Sequence, residues 1–512
     1  MIIAGVGKLA ALFAAIIIFF ASALATPAAA GKRDNSVRFA EEQAVDNLDP
    51  YFNNVRIGVI LAHHIWDTLI YRDPNAGEYK GELATSWKWI DDRTLELELR
   101  QGVKFHNGAE FDADDVVYTF NFVSKPESKA ITTQLVDWID RVEKLDRYKV
   151  RIHTKHSFPA ALEYLAATLV IHPHEYYAKV GPKGMSEKPI GTGPYRVVEH
   201  ALGKYIRLVR NPDYFTGGPK AQPTIDKVEV RFIPDRQTQL AEVLSGGADF
   251  IKNVPVDQAR QARAAPHLQV ISAEIMRYAF MQFDTLDNTP APMLRDVRVR
   301  QAVMHAIDRD AMVKSIVGEG SRVLHVPCFP TQFGCIDEGA PHFAYDPAKA
   351  KRLLADAGFP DGFAVDLYAY RDRDQVEAMI GYLRAVGIRA NLRFLQYAAF
   401  DTAVRGGKAP IAVWTWGSFS INDVSAGVSN FHKGQADDVN RDGEVRKLLE
   451  RGDAALDPEV RKSAYAKALA LITERAYVLP LYSIPVYYVA TKDLVFNAYA
   501  DEIPRFWEMS WK

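Results

Sequence analysis

Two histidine clusters, two cysteines and one glycine-rich turn are where this chain of 512 residues first invites a chemical reading. His172-Pro173-His174-Glu175 gathers two imidazoles and a carboxylate, the donor types of a zinc-like centre. Pro173 sits between them, and the local pattern reads as a strand-to-helix corner, so the structural reading of these histidines outweighs the metal one. His63 and His64 are adjacent and diverge on either a helix or a strand. Gly191-Thr192-Gly193-Pro194-Tyr195 is glycine-rich, but Pro194 and the strand-like residues after it do not open the helix N-terminus that cradles a phosphate. No G-x-G-x-x-G, Walker loop, G-x-S-x-G elbow or H-E-x-x-H helix occurs. Carboxylates are plentiful and none is singled out as half of a glycosidase pair. The expectation is a protein with no metal, no cofactor and no catalytic residue.

Cys328 and Cys335 are the only cysteines, in Cys-Phe-Pro-Thr-Gln-Phe-Gly-Cys. Pro330 and Gly334 suggest a compact loop that a disulfide closes, and an oxidising compartment lets such a bond persist. Two unpaired thiols are the alternative; without a neighbouring histidine they make a poor zinc site.

The elements that must position any site alternate between strand and helix. Arg93 to Arg100 puts Leu95, Leu97 and Leu99 on one face at period two, and Lys227 to Pro234 does the same with Val228, Val230 and Phe232. Phe111 to Lys125 reads as a helix with Asp112 as N-cap and Asp114 and Asp115 in the first turn, where the helix dipole favours carboxylates. Asp346-Pro347 and Asp457-Pro458 open two more, the first stopped by Gly358. Asp296 begins another, carrying Val299, Ala302, Val303, Ala306 and Ile307 inward. Strands alternating with helices predict an α/β protein.

Composition and the N-terminus set the class. There are 62 Lys+Arg against 64 Asp+Glu, 48% hydrophobic and 25% charged residues. These proportions exclude collagen, wholesale disorder and a small disulfide scaffold. The near-neutral balance makes nucleic acid an unexpected partner. Lys8 is followed by the apolar run Leu9–Ala25 and then small residues, the layout of a secretory signal peptide over residues 1–30, cleaved after Ala25 or Ala30. An uncleaved anchor is the alternative, at the short edge of what spans a bilayer. Export implies a soluble protein outside the cytoplasm.

Longer motifs carry a resemblance. Asp49-Pro50 precedes Leu83-Ala84-Thr85-Ser86-Trp87, Asp91-Asp92-Arg93-Thr94 and the run from Leu99 to Gly108 (LRQGVKFHNG). GTGPY at Gly191 to Tyr195, RNPDY at Arg210 to Tyr214 and DVRVRQAVMHAID at Asp296 to Asp308 follow. YDPAKAKRLLADAGFPDG spans Tyr345 to Gly362, and the last helix leads into Val478-Leu479-Pro480-Leu481-Tyr482. This ordered succession resembles the family 5 extracellular solute-binding proteins, the peptide, nickel and opine receptors of bacterial ABC importers. The resemblance covers nearly all of the chain beyond the signal. It implies a two-lobed periplasmic-binding-protein fold of class II, the large type with an extra subdomain in lobe I and two hinge crossings. Lobe I is expected at 31–279 plus 487–512 and lobe II at 280–486, with crossings near Ala279-Phe280 and Val486-Tyr487.

The resemblance also implies where a ligand would sit. An early segment, Phe52-Asn53-Asn54-Val55-Arg56, faces a late one, Trp414-Thr415-Trp416-Gly417-Ser418-Phe419. Asparagines orient polar groups, and indoles give rigid contact area. Because VWTW alternates, one indole faces the core and the other the cleft; Trp416 is the one expected in the cleft. Peptide-binding relatives hold an α-ammonium with an Asp just after that Trp. The position is Ser418 here, and Asp423 is the only nearby substitute, which weakens the case for dipeptides because a buried ammonium needs a counter-charge. Relatives hold a carboxylate with an Arg before a helix like Glu377 to Ile388; Arg371 and Arg373 both qualify, with the guanidinium fork suited to the task. Tyr397 maps to a cleft aromatic. The expected partners are a small-molecule ligand (oligopeptide, opine-like or other carboxylated compound) and the permease of an ABC importer, with the protein a monomer. A non-transport presenter for a chemoreceptor, a chaperone and, least favoured, an extracytoplasmic hydrolase are the alternatives.

Overall fold

The computed structural model describes residues 31–512 except 54, 133, 134, 418 and 419. The expected signal peptide, Asn54 and Ser418 therefore lie outside the described residues.

Two long antiparallel strands, Leu268–Phe283 and Val478–Thr491, are the spine of the molecule. They pair from Leu268 opposite Thr491 to Gln282 opposite Val478 and stand at the middle of a ten-stranded sheet. Beyond Val478–Thr491 the sheet continues through Phe250–Ile251, Ser36–Glu41, Lys227–Phe232, Tyr205–Arg210 and Tyr195–Ala201. Beyond Leu268–Phe283 it continues through Ile411–Trp416, Ala364–Ala369 and Arg389–Phe394, the last two parallel to each other. Helices connect these parallel strands, as a crossover requires.

The packing divides along the spine. Ile271, Ile275, Val486 and Tyr488 pack in one large core with Phe39, Trp66 and Val230. Met276, Tyr278 and Phe280 turn to a second core with Trp414 and Tyr465, while Met281 and Leu481 join a third with Val303 and Leu367. The spine thus passes from one lobe's interior to the other's just after Ile275 and just before Val486. The first lobe also carries a four-stranded antiparallel sheet of Ala84–Asp91, Thr94–Leu99, Lys149–Thr154 and Ile139–Asp146. Its Leu95, Leu97 and Leu99 are buried, the face read from the alternation.

Most helix signals act as the sequence suggests. Asp112 accepts from the Asp114 amide (2.9 Å) and closes a capping box with Asp115 at the head of Ala113–Val123. Asp346 and Asp457 cap Pro347–Asp356 and Pro458–Glu474. The Asp296 helix runs Val297–Ala306, one residue short of the apolar stripe, because Ile307 is already extended. In the GTGPY turn, a Cβ on Gly193 would lie 2.5 Å from the His64 carbonyl oxygen, so only glycine lets this turn lie against the end of helix Arg56–Ile65. That motif is structural.

The histidine clusters are structural too. His172 Nε2 is 3.3 Å from Asp49 Oδ1 and its ring stacks on Tyr177, whereas His174 Nδ1 is 2.8 Å from Asp115 Oδ1. His64 is buried, with Nδ1 on the Ile60 carbonyl and Nε2 accepting from the Phe506 amide at 3.0 Å.

Candidate functional site

The spine breaks where it changes lobes. Pairing is regular up to Glu274 opposite Pro485 and resumes at Tyr278 opposite Ser483, then slips again between Ala279/Tyr482 and Phe280/Pro480. Pro485 and Pro480 have no amide hydrogen to give the ladder, which explains why both irregularities fall beside prolines. Inside the first break the Met276 amide donates to the Ala500 carbonyl (2.8 Å), so the C-terminal segment takes over the lost ladder position. Arg277 stands in the same break.

Beside this break lies a cleft of about 720 Å³. Asn253, Val254 and Val256 line it from the first lobe, Val317 and Arg371 from the second, and Arg277 and Pro485 from the spine. The charges at its mouth, Arg236, Asp257, Arg260 and Asp374, are exposed. The deeper ones converge on Glu502, which is buried. Arg277 Nη2 is 3.1 Å from Glu502 Oε2, and Arg56 Nη2 is 3.9 Å from Glu502 Oε1. Burial alone would raise the Glu502 pKa; Arg277 first, then Arg56, Lys252 and Arg371, outweigh it and hold the carboxyl below its usual value. The reciprocal effect acts on Arg277. Glu502 favours its charged form most strongly, but burial together with the Arg56 and Arg371 guanidiniums brings its pKa below the arginine norm. Three guanidiniums from distant parts of the chain are thus within electrostatic reach of one another. Next to them, a Cβ built on Gly417 would lie 3.5 Å from Arg277 Nε and 4.0 Å from Arg56 Nη2, so the backbone of this position lies within contact range of both cations.

Beyond the spine the two lobes touch at several places, Ser157 Oγ donating to the Ala454 carbonyl (2.5 Å) for one, and residues 420–422 carry the contacts nearest the cleft. Arg56 Nη1 donates to Ser420 Oγ (2.6 Å), which donates in turn to the Asp501 carbonyl (2.7 Å). The Asn422 amide donates to Glu163 Oε1 (2.7 Å), itself 3.0 Å from Arg72 Nε. Ile421 is buried in the first lobe's core. Burial raises the Glu163 pKa, with Arg72 opposing. Asp501 behaves the other way: Arg505, 2.6 Å away, overcomes the effect of burial and brings it down to about 2.

Backbone conformation marks the same region. Asn253, Asp372, Ser420 and Glu502 are non-glycine residues with φ of 56°, 50°, 64° and 62°. Left-handed backbone is costly for Ser and Glu and persists where surrounding contacts impose it, a pattern that clusters at binding sites.

The residues expected from the sequence divide. Arg371 lines the cleft, and Arg56 stands behind it, against Glu502 and Ser420. Arg371 is 41% exposed and its Nε is 3.0 Å from Asp372 Oδ2. Trp416 is half-buried next to Gly417, its Nε1 donating to the Ala426 carbonyl (3.2 Å). Tyr397 packs edge-on to Tyr370 and is about half exposed, outside the cleft lining. Three expectations are corrected. Asn53 is buried and spends its Nδ2 on the Asn47 and Asp49 carbonyls, holding a turn. Trp414 is core: its Nε1 donates to Gln282 Oε1 (2.9 Å) and its ring packs on Phe400 and Phe431. Asp423 is buried against Arg461 (2.8 Å) and caps the turn at Ser425, so its charge is already neutralised.

Arg277 and Glu502 were not anticipated. A signal for Arg277 exists, since it is the one charged residue in the run Ile275 to Phe283. Glu502 has no such signal, because its burial depends on a fold that returns the C-terminus to the cleft.

Comparison with known proteins agrees with this architecture. The family described as bacterial extracellular solute-binding proteins, family 5 Middle, matches residues 78–438. Heme-binding protein A of Haemophilus influenzae is 25% identical over 458 residues, 82% of this chain and 82% of that protein. Oligopeptide-binding protein AppA of Bacillus subtilis is 30% identical over 290 residues, 55% of this chain and 52% of that protein. The solved structure of HbpA2 from Haemophilus parasuis superposes with a TM-score of 0.82 at 23% identity, covering 93% of this chain and 100% of that one. The fold is the two-lobed periplasmic-binding-protein fold.

Proposed function

We propose a transport receptor, from the premise that the chain belongs to the bacterial extracellular solute-binding proteins, family 5. It captures a small carboxylated solute between its lobes and hands it to the permease of an ABC importer. It acts in the periplasm, as a monomer, and performs no chemistry on the ligand. The lobes we assign follow the cores: 31–275 with 486–512, and 276–484.

One observation carries the reading. The cleft borders the two long strands that join the lobes, at the point where their pairing fails. A ligand that touches Arg277 and both cleft walls stabilises one lobe arrangement over the other, and this differential affinity is all a closing receptor needs.

The ligand class is narrower than the relatives' names, which span heme and oligopeptides. Asp423, the nearest substitute for the ammonium-binding Asp of peptide receptors, is paired with Arg461. The test is mass spectrometry of the compound retained on purified protein, followed by calorimetric titration with that compound. Stoichiometric binding with a fall in radius of gyration is expected. Turnover of the compound, or uptake that persists without the permease, overturns the receptor reading.

A further inference from the structure

We infer that Arg277, backed by Arg56, is the anion anchor of the cleft, and that the ligand it selects carries a carboxylate but needs no free ammonium. This rests on the receptor reading and deepens it.

Pairing separates the arginines. Arg371, one of the two arginines the family resemblance offers, has Asp372 on its Nε at 3.0 Å and is 41% exposed. Its charge is both partnered and screened by water. Lys252 is similarly committed, 3.3 Å from Glu41 Oε2. Arg277 and Arg56 instead share one carboxylate, Glu502, at 3.1 and 3.9 Å. Two guanidiniums against one carboxylate leave one positive charge over. Both are mostly shielded, with side chains 20% and 16% exposed. A charge in that setting is stabilised by an anion far more than an exposed one. Arg277 itself lines the cleft, with Arg56 behind it against the same carboxylate.

Among the described residues, no deep carboxylate near the cleft is left for an ammonium. Glu502 is shared by the two arginines, Asp501 is held by Arg505, Glu163 by Arg72 and Asp423 by Arg461. Asp372 lines the cleft but is paired with Arg371 at 3.0 Å, and Asp257 and Asp374 are at the exposed mouth. A zwitterionic ligand would bury its ammonium without a partner, whereas an N-blocked acid would not. Arg277 also occupies the break in the spine, so an anion seated on it acts at the joint between the lobes.

The experiment is isothermal calorimetry at pH 7 with the full exported chain and three probes: N-acetylated dialanine, its C-terminal amide, and free dialanine. The N-acetylated acid is expected to bind at least tenfold tighter than either of the others. Arg277→Gln should remove that preference, Arg371→Gln should retain it, and Arg277→Lys, which keeps charge but not the fork, should fall between. Circular dichroism of each variant separates lost binding from lost fold. Equal affinities for the three probes, tighter binding of free dialanine, or loss of the preference in Arg371→Gln instead of Arg277→Gln, overturns the anchor and leaves the receptor reading standing. Absence of binding by all three, with no compound retained on purification, overturns both.

Discussion

Arg56 and Ser420, 364 positions apart, meet at 2.6 Å and tie the head of a first-lobe helix to a strained residue of the second lobe. Ser420 Oγ passes the contact on to the Asp501 carbonyl. Because the bond involves a charged donor, it is worth about 1.5–3 kcal/mol. Arg56→Ala should therefore favour the open arrangement without unfolding either lobe. Small-angle scattering of the ligand-free variant should give a larger radius of gyration than the parent; an unchanged radius would mean that the other contacts between the lobes, Ile421 and the Asn422–Glu163 bond among them, hold the arrangement without Arg56.

Asp423 and Arg461 are both buried, and the guanidinium also donates to the Gly452 carbonyl. Removing one partner strands a buried charge, a loss of about 3–5 kcal/mol. Asp423→Ala should lose that much stability in urea denaturation while the folded fraction binds ligand as before. A selective loss of affinity with unaltered stability would restore Asp423 to the binding site.

Trp414 and Trp416 make the same distinction one strand over. Trp414→Phe leaves Gln282 Oε1 buried without its donor, which should cost about 1–3 kcal/mol and leave affinity unchanged in calorimetry. A tenfold weaker affinity in a fully stable variant would return Trp414 to the cleft.

Much of the architecture was legible because local chemistry reports it. Period-two leucines gave the strand Thr94–Leu99, and Asp-Pro pairs gave two helix starts at the correct residue. The site was less legible. Alternation in Val413 to Trp416 says that the two indoles differ, and Trp414 does prove to be the core one, but alternation cannot say what Trp416 faces. Asp423 carries the right charge at nearly the right place, and only the position of Arg461, 38 residues on, reveals that it is spent. Glu502 is harder still: its partners Arg56 and Arg277 lie hundreds of residues away, and nothing local requires it to be buried.

The Cys328–Cys335 disulfide closes a loop that holds the docking segment. Gln332 Nε2 donates to the Ile421 carbonyl (2.9 Å), and the Phe333 amide donates to the Asn422 carbonyl (2.9 Å). A loop of this length stabilises by about 2–3 kcal/mol on the chain-entropy account. The double variant Cys328→Ser/Cys335→Ser should lose about that much stability in urea. It should also bind ligand more weakly, because residues 421–422 are no longer held for their contacts with the first lobe. A stability loss with unchanged affinity would separate the loop from closure.

Acid should destabilise the protein well above the range where most carboxylates titrate. Burial is the main force that brings His63 down to about 3 and His432 and His106 to about 4, from an ordinary value of 6.5. Near His432 the carboxylates of Asp438 and Asp442 oppose the shift without cancelling it. The folded value is the lower one, so between pH 6.5 and about 4 the unfolded chain binds protons that the folded chain refuses. Stability is then fully present above 6.5 and is lost as pH falls toward 4. Each such histidine contributes a slope of about 1.4 kcal/mol per pH unit. Glu82, raised to about 8 mainly by burial, has the opposite sign: its contribution is present below about 4.5 and declines as pH rises toward 8. His64, His305 and His325, also shifted down by burial, add to the acid slope, while Asp115, Asp137, Glu163, Asp284 and Asp401, shifted up by burial, oppose it alongside Glu82, so the share of one histidine is read from its variant. Urea denaturation from pH 7 to 4 should show the slope, and His432→Gln should flatten it by about one histidine's share. A variant as acid-sensitive as the parent would show that His432 takes up its proton in the folded state.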